Sequence, residues 1–287
     1  MNSSIIKVYA LMGEHDMLKK EPVDMKELKV IIRGAGEMAS GVAHRLYSAG
    51  FRKIVMTEIA KPLSVRRTVS FSEAVYEGEA SVEGVRGVFI DSVDELPALR
   101  KENMIAVLVD AAENSVEKLK PDILIDATMF KRQTSLTGKE APFVIGIGPG
   151  FTAPVNVHAV IESNRGHDLG RVIWDGSAEL FTGIPGSTKG FTVERVLRSP
   201  KTGVVRHMKR IGEIVTKEDT ILYVDGMPVC APIDGVLRGL IREISVEKNE
   251  KVGDIDPRGQ VALCYSISDK ARAIGNGVLE AIMCRYS

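Results

Sequence analysis

The sequence predicts an α/β chain, with a doubly wound parallel sheet first, then a loop-rich connection and a β-rich unit near the C-terminus. Three observations predict it. Short runs of consecutive apolar residues recur through the first half, a glycine turn joins the first run to a helical pattern, and an internal repeat follows residue 198.

Composition bounds the rest. The chain has 287 residues, 44% of them hydrophobic, enough for about two domains with their own cores. Lys plus Arg and Asp plus Glu stand at 38 each, so no general attraction to nucleic acid or to an anionic membrane is expected. Met1 to Ile5 lacks a basic segment ahead of an apolar run, and no stretch of about 18 apolar residues occurs, so the expected location is cytoplasmic. Cys230, Cys264 and Cys284 lack CxxC spacing and read as reduced thiols.

Residues 1–28 read as an extension leaning on a domain over residues 29–150. In that domain Val30-Ile31-Ile32 is a buried strand, and Glu37 to Ala49 carries Met38, Val42, Leu46 and Ala49 near helical spacing before stopping at Gly50. Further strands are expected at Ile54-Val55-Met56, Val88-Phe89-Ile90, Val107-Leu108-Val109, Ile123-Leu124-Ile125 and Val144-Ile145-Gly146-Ile147. Continuous rather than alternating apolar character means that both faces of the sheet are covered.

Residues 151–197 are rich in loops, with one helix expected at Val157 to Ser163. Over residues 198–265 the segment Pro200 to Arg206 recurs as Pro232 to Arg238, and Val215 to Ile221 recurs as Val246 to Val252, about 31 residues on. Asp225-Gly226 supplies a hairpin turn between the copies. Such a duplicated β unit resembles the barrel-sandwich hybrid of biotinyl and lipoyl carrier domains, but the hairpin tip Val224 to Val229 has no lysine, so no carrier function is expected. Residues 266–287 are expected to form a short helix capped by Ser268 or Asp269, then Gly275-Asn276-Gly277 and a second helix from Val278 to Met283.

Chemistry centres on Gly34-Ala35-Gly36-Glu37-Met38-Ala39, which fits G-x-G-x-x-[GA] after a strand and at the opening of a helix. Gly34 allows the tight turn and Gly36 lets a pyrophosphate approach the backbone, as in a Rossmann-type nucleotide site. Glu58 ends the second strand, about 22 residues beyond Gly36, where such a fold places a carboxylate on ribose hydroxyls. Arg66 and Arg67 suit a further phosphate, which Glu58 opposes, so NAD and NADP both stay open; the two arginines fit a solvated helix face equally well. Asp110 and Asp126 end strands on the ligand-binding edge, where acids either touch ligand or cap helices, and Lys131 and Arg132 follow. His158 and Glu162 would share a helix face, with His167 nearby as a proton-transfer candidate, but no HExxH pattern or cysteine partner supports a metal. Catalytic residues stay unassigned: there is no G-x-S-x-G elbow, no Walker lysine and no Tyr-x-x-x-Lys pair.

Taken together, several segments resemble the accessory-protein family of selenium-dependent molybdenum hydroxylases. They are Ile32-Arg33-Gly34-Ala35-Gly36-Glu37, the stretch from Lys61-Pro62-Leu63 to Val75, Gly148-Pro149-Gly150-Phe151, Arg165-Gly166-His167-Asp168-Leu169-Gly170, Gly183-Ile184-Pro185-Gly186, Gly253 to Arg258 and Ile267-Ser268-Asp269-Lys270. The similarity runs from about residue 29 to 283, with Glu37 where an aspartate is expected and Met129-Phe130-Lys131-Arg132 approximating an Ala-Lys-Arg pattern. The resemblance implies a maturation role: a molybdopterin dinucleotide or NAD-like ligand on the Gly34–Gly36 turn, and a molybdenum hydroxylase client docked on the β-rich unit, with self-association left open. An NAD(P)-dependent oxidoreductase and a scaffold that binds no small molecule are the competing readings.

Overall fold

The computed structural model describes residues 23–110, 114–129, 134–181 and 183–287, so the expectations for most of the N-terminal extension and for Lys131 and Arg132 lie outside the described residues.

The chain opens with β1 (Lys29–Arg33), α1 (Glu37–Ser48), β2 (Lys53–Glu58), the single-turn α2 (Ala74–Glu77), β3 (Glu79–Val82), β4 (Val85–Ile90), α3 (Leu96–Lys101), β5 (Ile105–Val109), α4 (Asn114–Leu119), β6 (Ile123–Asp126) and β7 (Phe143–Ile147). It continues through β8 (Thr152–Ala153), β9 (Ala159–Ile161), β10 (Val172–Ile173) and β11 (Gly176–Ser177). One nine-stranded sheet runs in the order β10-β9-β7-β6-β1-β2-β5-β4-β3. The pairings from β4 through β9 are parallel, and only the edges, β3 on β4 and β10 on β9, are antiparallel.

The apolar runs are continuous because each strand feeds two cores. Val30 and Ile32, Ile54 and Met56, Val107, and Ile123 and Ile125 pack on one face, while Ile31, Val55, Ala106, Leu108 and Leu124 pack on the other. A period of two in a strand with both faces covered leaves no polar position in the middle.

Two expectations differ from what is found. The segment expected as a helix from Val157 to Ser163 contains β9, which joins the sheet parallel to β7 with Ile145 opposite Ala159. Its β-branched residues alternate between the cores, Ile161 in one and Val160 in the other, which a strand achieves and a helix does not. The sheet therefore extends to Ile173, well beyond residue 150.

The C-terminus is likewise one continuous helix, α5 (Asp269–Tyr286), with Ser268 as N-cap. Gly275 and Gly277 do not break it; they let it pass close to its neighbours. A Cβ on Gly277 would lie 2.0 Å from the Gly170 carbonyl oxygen, and one on Gly41 of α1 would lie 2.7 Å from Ala271 Cβ. Ala271, Ile274, Val278, Ala281 and Ile282 enter the same core as β1 and α1, so the end of the chain completes the N-terminal unit.

The repeat forms a unit of two four-stranded sheets, β12 (Val196–Arg198), β19 (Lys251–Asp256), β17 (Gly235–Leu240) and β14 (Ile214–Val215) against β16 (Met227–Cys230), β15 (Thr220–Val224), β13 (Gly203–His207) and β18 (Ser245–Val246). Val205, Val215, Leu222, Leu237, Val246 and Ile255 share one core between them. The copies interlock: Gly203 of the first pairs with Val246 of the second, and Gly235 of the second pairs with Val215 of the first. At the β15–β16 hairpin Asp225 and Gly226 take φ values of 42° and 79°, as a tight two-residue turn requires.

The α1–α5 crossing yields a test. Replacing glycine by alanine inside a helix ordinarily gains about 1 kcal/mol. Gly41→Ala and Gly277→Ala are instead expected to destabilise the protein by about 1–3 kcal/mol, because the added methyl collides with Ala271 or with the Gly170 carbonyl. Urea unfolding measures this, and a raised midpoint for both variants would refute the close crossing.

Candidate functional site

The chain passes from β5 across to β6, on the far side of β1, and this reversal opens a crevice at the carboxyl edge of the sheet. A cleft of about 520 Å³ lies there, walled by Gly34, Gly36 and Glu37 after β1, Thr57 and Glu58 at the end of β2, Ser64, Asp110 after β5, and Ala127 to Met129 after β6.

The glycine turn is built tightly. Gly34 has φ +89° and sits so close to the β6 loop that a Cβ would lie 3.2 Å from the Ala127 carbonyl oxygen. Its N–H donates to the Thr57 carbonyl at 2.8 Å, and Ser72 N–H and Ser40 Oγ both donate to the Ala35 carbonyl. Gly36 is the N-cap of α1, and no side chain caps it. The positive end of a three-turn helix therefore opens on the cleft.

Glu58 does more than end a strand. Its Oε2 accepts from Ala35 N–H at 2.9 Å and its Oε1 from Ile59 N–H at 2.8 Å, so it clamps the turn from the β2 side. Burial raises its pKa above the ordinary value of 4.5, against the lowering effect of these two bonds. A carboxylate offers about four lone-pair positions, and two are used, so acceptor capacity remains on the cleft side.

The other sequence candidates divide. Asp110 lines the cleft, yet its two oxygens accept from Asn114 N–H at 3.0 Å and Ser115 N–H at 2.7 Å, capping α4. Asp126 is buried and does not line the cleft; it holds Arg33 Nη1 at 2.8 Å and Thr128 Oγ1 at 2.6 Å, and through them shapes the floor.

Arg66 and Arg67 are not part of the cleft wall. Arg66 is 4% exposed and donates through Nη2 to the Leu263 and Ser266 carbonyls, while Arg67 Nε donates to the Leu240 carbonyl at 2.6 Å. They join the two units, which two adjacent arginines in a sequence do not announce. Arg66 Nη1 also stands 3.5 Å from Glu37 Oε1, so Glu37 faces a cation as well as the cleft.

The expected His158–Glu162 helix face does not form. His158 Nδ1 accepts from Val144 N–H at 2.9 Å with its ring against Phe143, and burial lowers its pKa. Glu162 is buried, accepting from Asn164 N–H and Glu179 N–H, and His167 lies on a separate surface. Among the described residues no three His, Cys, Asp or Glu side chains are grouped to hold a metal ion, and no helix is long and apolar enough to cross a membrane.

A charge network behind Glu37 went unread in the sequence. Asp254, fully buried, takes Arg195 Nη1 at 2.7 Å and Arg238 Nε at 2.9 Å; Asp256 takes Arg258, and Arg165 meets Asp269 through both nitrogens at 2.6 and 2.7 Å. That fork holds the Asp269 carboxyl down at about 2. The available signal was the cluster Gly253 to Arg258 with Ile267 to Lys270, but its meeting point depends on the path of α5.

No family model matches the chain. The uncharacterized protein YqeB of Escherichia coli (strain K12) is 47% identical over 255 residues, covering 88% of this chain and 47% of that protein. The chain thus spans about half the length of the curated relative it matches. Among solved structures, an aspartoacylase family protein from Mesorhizobium loti aligns at 9% identity and TM-score 0.23, over 74% of this chain and 58% of that one. A succinylglutamate desuccinylase/aspartoacylase from Rhodobacter sphaeroides aligns at 12% identity and TM-score 0.25, over 79% of this chain and 86% of that one. Likeness at that level bears on neither fold nor function.

Glu58 gives the site a pH signature. A carboxyl whose folded pKa is raised contributes stability that is complete below its unfolded value of 4.5 and is lost as pH rises through the folded value. Relative to Glu58→Gln, the native protein should therefore lose stability as pH rises above 4.5, through the interval up to the raised folded value, as read by urea unfolding at several pH values. A difference that grows in favour of the native protein over that interval would contradict the burial of Glu58.

Proposed function

We propose that the chain is a dinucleotide-binding accessory factor, with a Rossmann-type N-terminal unit whose cleft holds the ligand's pyrophosphate at Gly34–Gly36 and a ribose at Glu58. The observation that carries this reading is the uncapped N-terminus of α1 opening on a cleft at the sheet's reversal point, with the Glu58 carboxylate on its rim. The cleft volume of about 520 Å³ falls in the range of small-molecule sites.

A binding role is favoured over an oxidoreductase by the lining itself. Its acids already have structural tasks: Glu37 faces Arg66, Glu58 holds the glycine turn and Asp110 caps α4. The β-rich unit, read as a barrel-sandwich hybrid, ends its central hairpin in Asp225-Gly226-Met227 rather than a lysine, which leaves it as a docking element. The maturation of a molybdenum hydroxylase, with a molybdopterin dinucleotide as ligand, is supported by the segments that resemble that accessory family, and the client would meet the β unit.

Calorimetry against NAD, NADP and a cytidine-containing dinucleotide tests the ligand. Binding of one of them is expected, weakened by roughly tenfold or more in Gly36→Val, where a branched side chain covers the helix end. Binding of none, to a protein shown to be folded, refutes the nucleotide reading and leaves the scaffold.

A further inference from the structure

A second cavity, of about 340 Å³, lies beside the first along the carboxyl edge of the sheet, and Met129 lines both. Its wall draws on both the large sheet and the β-rich unit. Ile147, Pro149 and Ser163 come from the ends of β7 and β9, Val196 from β12, Lys251 from the start of β19 and Lys270 from the first turn of α5. The segments Gly148 to Phe151, Gly183 to Gly186 and Ile267 to Lys270, far apart in sequence, all contribute to its wall.

Glu179 and Glu250 line the cavity, and each carboxylate around it accepts at least one hydrogen bond. Glu162 accepts two backbone N–H groups, Glu179 accepts from the Asn164 side chain, and Glu250 accepts from Lys251 N–H. Asp254 is taken by Arg195 and Arg238, and Asp269 by Arg165. The two lysines are different. The nearest carboxylate oxygen to Lys251 Nζ is Asp254 Oδ1 at 3.8 Å, an atom that Arg195 already holds at 2.7 Å, and no ion pair forms at Lys270 among the described residues.

Both lysines line the cavity and are half-buried, the Lys251 side chain being 39% exposed. Burial depresses both pKa values; Asp254 and then Glu37 oppose it at Lys251, while at Lys270 Arg165 adds to it and Glu37 opposes it. Lys251 shares Asp254, 3.8 Å away, with two arginines, and Lys270 has no ion pair among the described residues. Two cations with capacity to spare, in a recess lined partly by apolar side chains, are the complement of an anion carried on an apolar body.

We propose that this cavity is a second binding pocket, taking a small phosphorylated organic molecule whose phosphoryl group is held by Lys251 and Lys270 and whose carbon skeleton packs on Ile147, Pro149, Ile184 and Val196. A dianionic phosphoryl group matches two ammonium groups, whereas a carboxylate matches one. The pocket shares Met129 with the first cleft but none of the residues of the glycine turn, so it stands whether or not a dinucleotide binds there.

Phenyl phosphate is a suitable probe, with benzoate and inorganic phosphate as comparisons. Calorimetry should show phenyl phosphate binding more tightly than either, and Lys251→Gln or Lys270→Gln weakening it by roughly tenfold or more, the loss of one charge-assisted bond. Gly36→Val should leave this binding unchanged, which separates the pocket from the first cleft. A measurement on the native protein avoids any folding defect in the variants: phenyl phosphate should slow the modification of Lys251 and Lys270 by trinitrobenzenesulfonate, as read by peptide mass spectrometry. No saturable binding, binding indifferent to both substitutions, benzoate binding as tightly as phenyl phosphate, or no protection of either lysine overturns the proposal.

Discussion

The passage of α5 across α1 is the constraint on which the rest of the structure depends. At Gly41 and Gly275 the two backbones approach to where a Cβ would touch the opposite helix, and Gly277 meets the Gly170 carbonyl in the same way. Because α5 follows the β-rich unit in the chain, seating it on α1 draws that unit over the carboxyl edge of the large sheet. Arg66, bonded to the Leu263 and Ser266 carbonyls just ahead of the helix, and Arg67, bonded to Leu240, hold the approach. Without that seating Lys270 and Lys251 would have no common cavity to line.

Electrostatics at this junction are arranged around one acid. Glu37 begins α1, where a carboxylate is favoured by the helix dipole, and it also faces Arg66. The same carboxylate bears on Arg165, Arg238, Lys251 and Lys270 across the junction. It thus lies between the two cavities, lining the first and offsetting cations beside the second. A negative group there limits how much positive potential reaches the glycine turn.

Much of the large sheet was legible because buried parallel strands announce themselves as unbroken apolar runs, and the turn from Arg33 to Glu37 announces itself by glycines at fixed offsets. The site residues that follow strand ends, Gly34, Gly36, Glu37, Glu58 and Asp110, do meet at one cleft for that reason. What failed to read were features set by distant partners. Gly275-Asn276-Gly277 has the composition of a break, and only the presence of Gly170 and Gly41 opposite makes it a helical contact. Val157 to Ser163 has few residues in which to distinguish a period of two from one near four. Arg66 and Arg67 look like any exposed basic pair until the carbonyls of residues roughly 175–200 positions away are brought to them.

The interlocked repeat also bears on how the β unit forms. β13 and β17 each pair within their own copy, with β15 and β19, and also with a short strand of the other, Gly203 with Val246 and Gly235 with Val215, so neither half completes its own sheets. A polypeptide carrying one copy alone would expose open strand edges and be drawn to another such chain. Carrying both copies on one chain turns that encounter into an intramolecular event at high effective concentration, in which β18 of the second copy completes the sheet that β13, β15 and β16 of the first begin.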